Sequence, residues 1–429
     1  MATLFSLFVY SSTFLFLKSP ILKAFCSPSD FSIIDYDDES KPFRGDYSLP
    51  SPPSPSPPMR SPSLSCEDLK GIGSLNTTCE LSYSLNITQD VYIEGNGNLF
   101  ILQGISLICP ELGCSIEINI TGEFRLNPFA KIVAGSVYIV AGNASLFGDS
   151  LINVTALAGE PPEDSTGTPR EVQGGGGGHG GRGASCVMDS KMLPEDVWGG
   201  DTYSWESLGA PRSYGSKGGT TNREENYGGK GGGRIWLEVK DIANVCGLLL
   251  ANGGSGGIKG GGGSGGSIYI KSPKMTVVST IEVRGSKIGL YPGVSYKCIR
   301  DTHKELNINL GEHSTYRTGS GRISAIGGNG FAGGGGGRVS VNAFSRHDDP
   351  VFLVHGGRSF GCPANSGAAG TFFDAVPRRL IIDNYNMSTD TDTLLLQFPN
   401  QPLWTNVYIR NGARANFPLL WSRVQVAEI

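Results

Sequence analysis

The sequence predicts an all-β protein: a β-solenoid of parallel β-helix type, or a stack of similar β-hairpins with glycine-rich turns. Three observations lead there. The first is a recurring phrase, LLLANGGSGGIKGGGGSGGSIYIKS from Leu248 to Ser272, ISAIGGNGFAGGGGGRVSVNAFS from Ile323 and FLVHGGRSFGCPANSGAAGTFFDAV from Phe352, with a fragment, GGKGGGRIWLEV, over Gly228 to Val239. Each copy is an apolar run, a glycine tract and a second run of period two. Glycine is the residue that supplies repeated positive φ or lets backbones approach closely, so the unit reads as strand, tight glycine turn, strand. Second, such a unit cannot bury an apolar face alone, so copies should stack with each strand pairing to its equivalent in the next. Third, the runs SIYIKS, RIWLEV and RVSVNAF carry β-branched and aromatic residues, whereas a flexible linker mixes glycine with serine and lacks such flanks.

At 429 residues the chain is ample for a buried core. Charged residues are 17% and the net charge is −4, which argues against a nucleic-acid surface and against a disordered polyelectrolyte. With 63 glycines and five histidines, the side-chain chemistry available for catalysis is thin.

In chain order, residues 1–26 read as a secretory signal. Leu4 to Leu17 is apolar and is followed by Lys18 and the small-residue context Ala24-Phe25-Cys26, with an uncleaved anchor as the alternative. No later run approaches the roughly 18 apolar residues of a spanning helix, so the chain is expected to be secreted or to face the outside of the plasma membrane. Residues 27–65 are acidic in DYDDES and then proline-rich in LPSPPSPSPPMRSPS, an extended stalk of polyproline type. In a plant, such Ser-Pro alternation resembles arabinogalactan-type O-glycosylation sites. Arg44-Gly45-Asp46 lies in this stalk, and three-residue matches of that kind arise by chance.

Residues 66–159 carry short alternating strands, VYIEG, LFILQG, SIEINIT, EFRL, KIVAG, SVYIVAG and LINVTALAG, with no capped helical periodicity. They recur at roughly 10-residue spacing, as in a solenoid or sandwich. Sequons stand at Asn76, Asn86, Asn119, Asn143, Asn153 and Asn386, five of them between residues 76 and 155, which supports the secretory route. Leaving out Cys26, the cysteines number eight: Cys66, Cys79, Cys109, Cys114, Cys186, Cys246, Cys298 and Cys362. An even count in an oxidising compartment reads as disulfides, and the sequence-close pairs Cys66 with Cys79 and Cys109 with Cys114 are the first candidates. Zinc ligation lacks the CxxC spacing it needs, and no metal or cofactor is expected.

Residues 160–227 interrupt the alternation as a loop-rich insertion. Its Trp198, Tyr203, Trp205 and Tyr214 are candidates for a recognition surface, since loop aromatics stack on sugars or protein partners. The competing reading packs them onto the solenoid. Residues 228–376 hold the glycine-rich β repeats, and 377–429 continue as β structure.

The stretches SCEDLKGIGSLNTTCEL, NGNLFILQGISLICPELGCSIEINITGEFRL, GGGGGHGGRGASC and GGKGGGRI resemble the N-terminal part of a family of large plant glycine-rich cell-surface proteins, some labelled ephrin type-B receptor-like. The resemblance covers Cys66 to the end. It implies a signal peptide, a long extracellular β-rich region and membrane-spanning segments near the C-terminus. Those segments are absent here; the chain stops in mid-strand at Val424 to Ile429, as a truncated gene model or splice fragment would, leaving an uncapped strand edge. The receptor label finds no kinase VAIK, HRD or DFG elements, and the family carries no activity to transfer.

Gly178-His179-Gly180 matches the GHG of polygalacturonases, which are β-helices. That chemistry needs paired carboxylates, and the adjacent pair downstream of the insertion, Asp348-Asp349, follows the histidine where the family pattern has it before. Neither an Asn-Thr-Asp element nor a full RIK motif accompanies it. Gly253 to Gly257 and Gly262 to Gly266 fit GxSxG formally, but Ser264 is followed by a strand rather than a helix. The GxGxxG of Gly261, Gly263 and Gly266 lacks a βαβ unit. Calcium-binding nonapeptides would place Asp within the glycine tracts, which hold almost none.

The expected function is therefore a non-enzymatic extracellular scaffold or binding module for wall polysaccharide or an extracellular protein. The alternative is a carbohydrate-active β-helix enzyme centred on His179. A third arrangement packs the tracts as polyproline-II-like helices, similar to the glycine-rich extracellular domain of anaplastic lymphoma kinase, and would still be a ligand-binding module.

Overall fold

Strands too short to bury an apolar face alone gain a core by winding into a three-sided coil, and this is the architecture of the computed structural model. It describes residues 63–162, 165–167, 173–187, 199–203, 206–276, 280–283, 316–319, 321–347, 351–395, 403–417 and 425–428. The signal and most of the stalk, Arg44-Gly45-Asp46, Trp198, Trp205, Cys298 and Asp348-Asp349 lie outside the described residues.

The first face stacks Val91–Gly95, Ser115–Ile120, Ser136–Ala141, Arg234–Val239, the leading halves of Ser267–Thr276 and Arg338–His347, and Thr371–Asp374, all parallel. The second stacks Thr78–Leu81, Asn98–Ile101, Glu123–Leu126, Asn143–Leu146 and Ile242–Val245, then the trailing halves of the two long strands. Because those long strands bend from one face to the other, both faces belong to one 16-stranded sheet. The third face is a separate 7-stranded sheet: Leu85–Asn86, Ser106–Ile108, Lys131–Val133, Leu151–Asn153, Leu248–Leu250, Arg322–Ser324 and Val351–Leu353.

Period-two alternation sends every second side chain inward, and parallel register then stacks like on like. Ile93, Ile118, Ile139, Leu237, Ile270 and Val341 form one buried ladder of the first face. Leu107, Ile132, Ile152, Leu249 and Ile323 form that of the third. Each such side chain contributes about 1.5–3 kcal/mol when fully buried. The recurring phrase thus maps one copy to one rung, with Leu249, Ile323 and Phe352 in register on one face and Ile268, Val339 and Phe372 on another.

At each end the large sheet takes on an antiparallel strand. At the start, Gly71–Gly73 lies antiparallel on Thr78–Leu81, held by the Cys66–Cys79 disulfide. At the other end, Thr371–Asp374 turns back antiparallel onto Arg379–Asp383. Asp374 occupies a core position opposite Val341 and is neutralised by Arg379 at 3.0 Å. Beyond it Arg379–Asp383, Leu403–Arg410 and Gln425–Glu428 pair in parallel, over a second core of Leu380, Ile382, Leu395, Trp404 and Val407.

The glycine tracts depart from the sequence reading in one respect. They are not tight turns, and within them only Gly174 and Gly257 take positive φ. Each runs out from the third face as an extended hairpin and returns to the first, and the hairpins pack side by side. Across one returning arm the backbone donors take three neighbours in strict rotation. Gly261 and Ser264 donate to Gly219 and Ser216, Gly262 and Gly265 to Ala332 and Gly335, and Gly263 and Gly266 to Gly254 and Ala251, all at 2.7–3.0 Å. A repeat of three residues with no internal hydrogen bonds is the geometry of a polyproline-II helix. Glycine is required here for close approach: a Cβ on Gly262 would lie 1.8 Å from the carbonyl oxygen of Gly328. Backbone, satisfied by backbone, makes a second core with almost no side chains.

Candidate binding surface

The insertion between Asn153 and Arg234 is fastened to the lattice by a sealed charge cluster. His179 is 0% exposed. Its Nδ1 lies 2.7 Å from the Gly265 carbonyl, to which it must donate, and its Nε2 lies 2.7 Å from Glu206. The other Glu206 carboxylate oxygen accepts the backbone N–H groups of Arg212 and Ser213 at 2.6 Å. Arg338, 1% exposed, donates to the carbonyls of Glu206 and Tyr203 at 2.7 Å and sets Nε 3.6 Å from the Glu206 carboxylate. Burial by itself would raise the Glu206 pKa, but the adjacent His179, Arg338 and the Ser213 N–H hold it well below the carboxylate range. With every polar atom of the imidazole engaged and no route to solvent, His179 has no access to a glycosidic oxygen.

The aromatic candidates of the insertion serve the same fastening. Tyr203 is turned inward, 0% exposed, 4.6 Å from the His179 ring, with its hydroxyl donating to the Tyr214 carbonyl at 2.9 Å and meeting Ser216. Burial pushes its pKa up to about 12. Tyr203 is therefore no part of an exposed surface, because the insertion folds down over the coil instead of projecting from it. Tyr214 is half-buried, with the Arg234 guanidinium 4.5 Å above its ring and its hydroxyl donating to Gly113. Beneath the insertion runs a ladder, Tyr138, Trp236 and Tyr269, in register on neighbouring strands with ring spacings of 5.8 and 4.0 Å. Arg212 caps Trp236 at 4.3 Å, a cation–π contact that covers the ladder.

Disulfides brace the frame. Cys66–Cys79 and Cys109–Cys114 join the sequence-close partners, and Cys186–Cys362 ties the insertion to the last glycine hairpin across 176 residues. Cys246 is also disulfide-bonded. All six sequon asparagines are at the surface: Asn76, Asn86 and Asn386 exposed, and Asn119, Asn143 and Asn153 half-buried at outward strand positions. Five sit on the early rungs, and none sits on the glycine hairpins.

What the lattice presents to solvent is its row of tips, which carries the residues that interrupt the glycine tracts. Backbone hydrogen bonds fix their order. Thr221 donates to Lys259, Gly256 to Asn329, Gly330 to Arg358 and Phe360 to Gly330, at 2.8–3.1 Å. Along this row Lys259 stands 5.1 Å over the Tyr227 ring, and Ile258 beside it is 75% exposed. Phe331 is wedged half-buried against Gly174 and Gly361, while Phe360 is 50% exposed and Arg358 is exposed. Reading the tracts as turns passes over these residues. The signal for them is the break in glycine itself, IK in GGIKGG, NGF in GGNGFAG and RSF in GGRSFG.

Fold and surface define a class: a disulfide-braced parallel β-solenoid whose rungs put out a lattice of glycine polyproline-II hairpins and end it in a row of side-chain-bearing tips. No protein-family model, curated protein or solved structure matches the chain. Among the described residues no helix is long and apolar enough to cross a membrane.

Proposed function

We propose that this chain is a non-enzymatic, glycosylated extracellular scaffold and binding module, of the plant glycine-rich cell-surface kind its motifs resemble. The observation that carries the reading is the lattice. Its interior holds almost no side chains, its tips carry exposed ones, and hydrogen bonding in three directions holds those tips in place, so ordering cost on binding is small. Disulfides and surface sequons support an oxidising, extracellular setting. The hydrolase alternative rests on His179, whose burial removes it from any substrate.

The test is to incubate the secreted chain with an array of immobilised wall polysaccharides, measuring retained protein and released sugars in the same wells. Retention without products is expected. Oligosaccharide release that is abolished by His179→Ala would establish the enzyme instead.

A further inference from the structure

Resting on the binding-module reading, we infer that the row of hairpin tips is a site for an anionic polysaccharide built of uronic acid rings. Lys259 and Arg358 are exposed and have no carboxylate partner among the described residues, although the chain as a whole is net negative. Some exposed cations elsewhere are paired, as in Lys271 with Glu238, Arg125 with Glu123 and Arg410 with Asp383, and others, such as Lys131 and Lys240, stand singly on the coil among the described residues. Lys259 and Arg358 stand on different tips, separated by the one that carries Asn329 and Phe331. Apolar groups alternate with them: Tyr227 under Lys259, then Ile258, Phe331 and Phe360.

A cation beside a ring, repeated along a line, matches a polymer whose every unit offers a carboxylate and an apolar C–H face. The cation pairs with the carboxylate and the aromatic face covers the sugar ring. An acidic peptide supplies the carboxylates without the ring faces. A nucleic acid needs a denser basic stripe than two charges. Glu224 and Glu225 stand on the first tip, where Glu225 accepts the Tyr227 hydroxyl, so a bound polyanion is expected to run from Lys259 away from them towards Arg358. The tips bear no sequon.

Polygalacturonate and a neutral β-glucan, each immobilised, are the probes for the full secreted chain. The expected result is retention on polygalacturonate that falls at least tenfold in Lys259→Glu with Arg358→Glu, at least threefold in Phe360→Ala, and steeply with added salt. Both changes fall on exposed tips, and an unchanged melting temperature shows that the variants are folded. Equal retention of the double variant, or no retention of the unaltered chain on polygalacturonate, would overturn the assignment. Product-free binding to the neutral glucan alone overturns it while leaving the binding-module reading intact, and release of sugar defeats that reading as well.

Discussion

Gly262→Ala is expected to lower the stability of the chain by about 4 kcal/mol or more, the range in which single substitutions signal a packing or backbone fault. The added methyl would meet the Gly328 carbonyl at 1.8 Å. Both partners are backbone, so no side chain can rotate away, and moving the hairpin would break hydrogen bonds to three neighbours at once. The same logic makes a Gly→X change in a collagen triple helix disruptive. Gly209→Ala is the control. Its nearest atom would be 3.6 Å away on the Phe373 ring, an ordinary contact, and its effect should stay within about 0.5 kcal/mol. Denaturant midpoints of the two variants, with secreted yield, check the contrast. Equal tolerance of both would mean that the tracts are not packed as described.

Glu206→Gln is expected to cost about 3–5 kcal/mol, because it leaves Arg338 as an uncompensated buried charge. The exposed pair Glu238 and Lys271 provides the scale: at 31% and 50% side-chain exposure, Glu238→Gln should cost no more than about 1 kcal/mol. The pH dependence carries a sign. The folded-state pKa of Glu206 is depressed below its ordinary 4.5, so the folded state binds fewer protons than the unfolded one. Its stabilising contribution is thus fully present above that ordinary value and is lost as pH falls towards the depressed one. Unaltered protein should weaken through this acid window, and the Glu206→Gln variant should show a shallower slope. Identical slopes would place the acid sensitivity elsewhere.

How much of this was legible in the residues depends on which backbone geometry carries the signal. Alternation in SIYIKS and RVSVNAF gives strands, and recurrence of the phrase gives rung-on-rung stacking, because period two and parallel register are both written in side chains. The pairing of Cys66 with Cys79 and of Cys109 with Cys114 follows from closeness in sequence. The glycine tracts are different. Glycine records that a Cβ is forbidden without recording why, so positive φ and close approach read alike, and the threefold rotation of donors emerges only in three dimensions. Tyr203 illustrates a second limit. An aromatic in an irregular stretch looks like a surface feature until its partners are known, and His179, Arg338 and Ser216 are 24, 135 and 13 positions away. The tip residues were visible as breaks in glycine, yet their adjacency depends on hairpins joined at Gly256–Asn329 and Gly330–Arg358.

Amide hydrogen exchange on the full secreted chain tests most directly whether the glycine tracts are a core. The N–H groups of Gly261 to Gly266 should be protected to the level of Ile268 and Ile270 in the adjoining strand, with Ile258 at the exposed tip exchanging fast. Exchange of that tract at the rate of an unstructured chain, beside protected strands, would contradict the lattice and with it the rigid display of the tips.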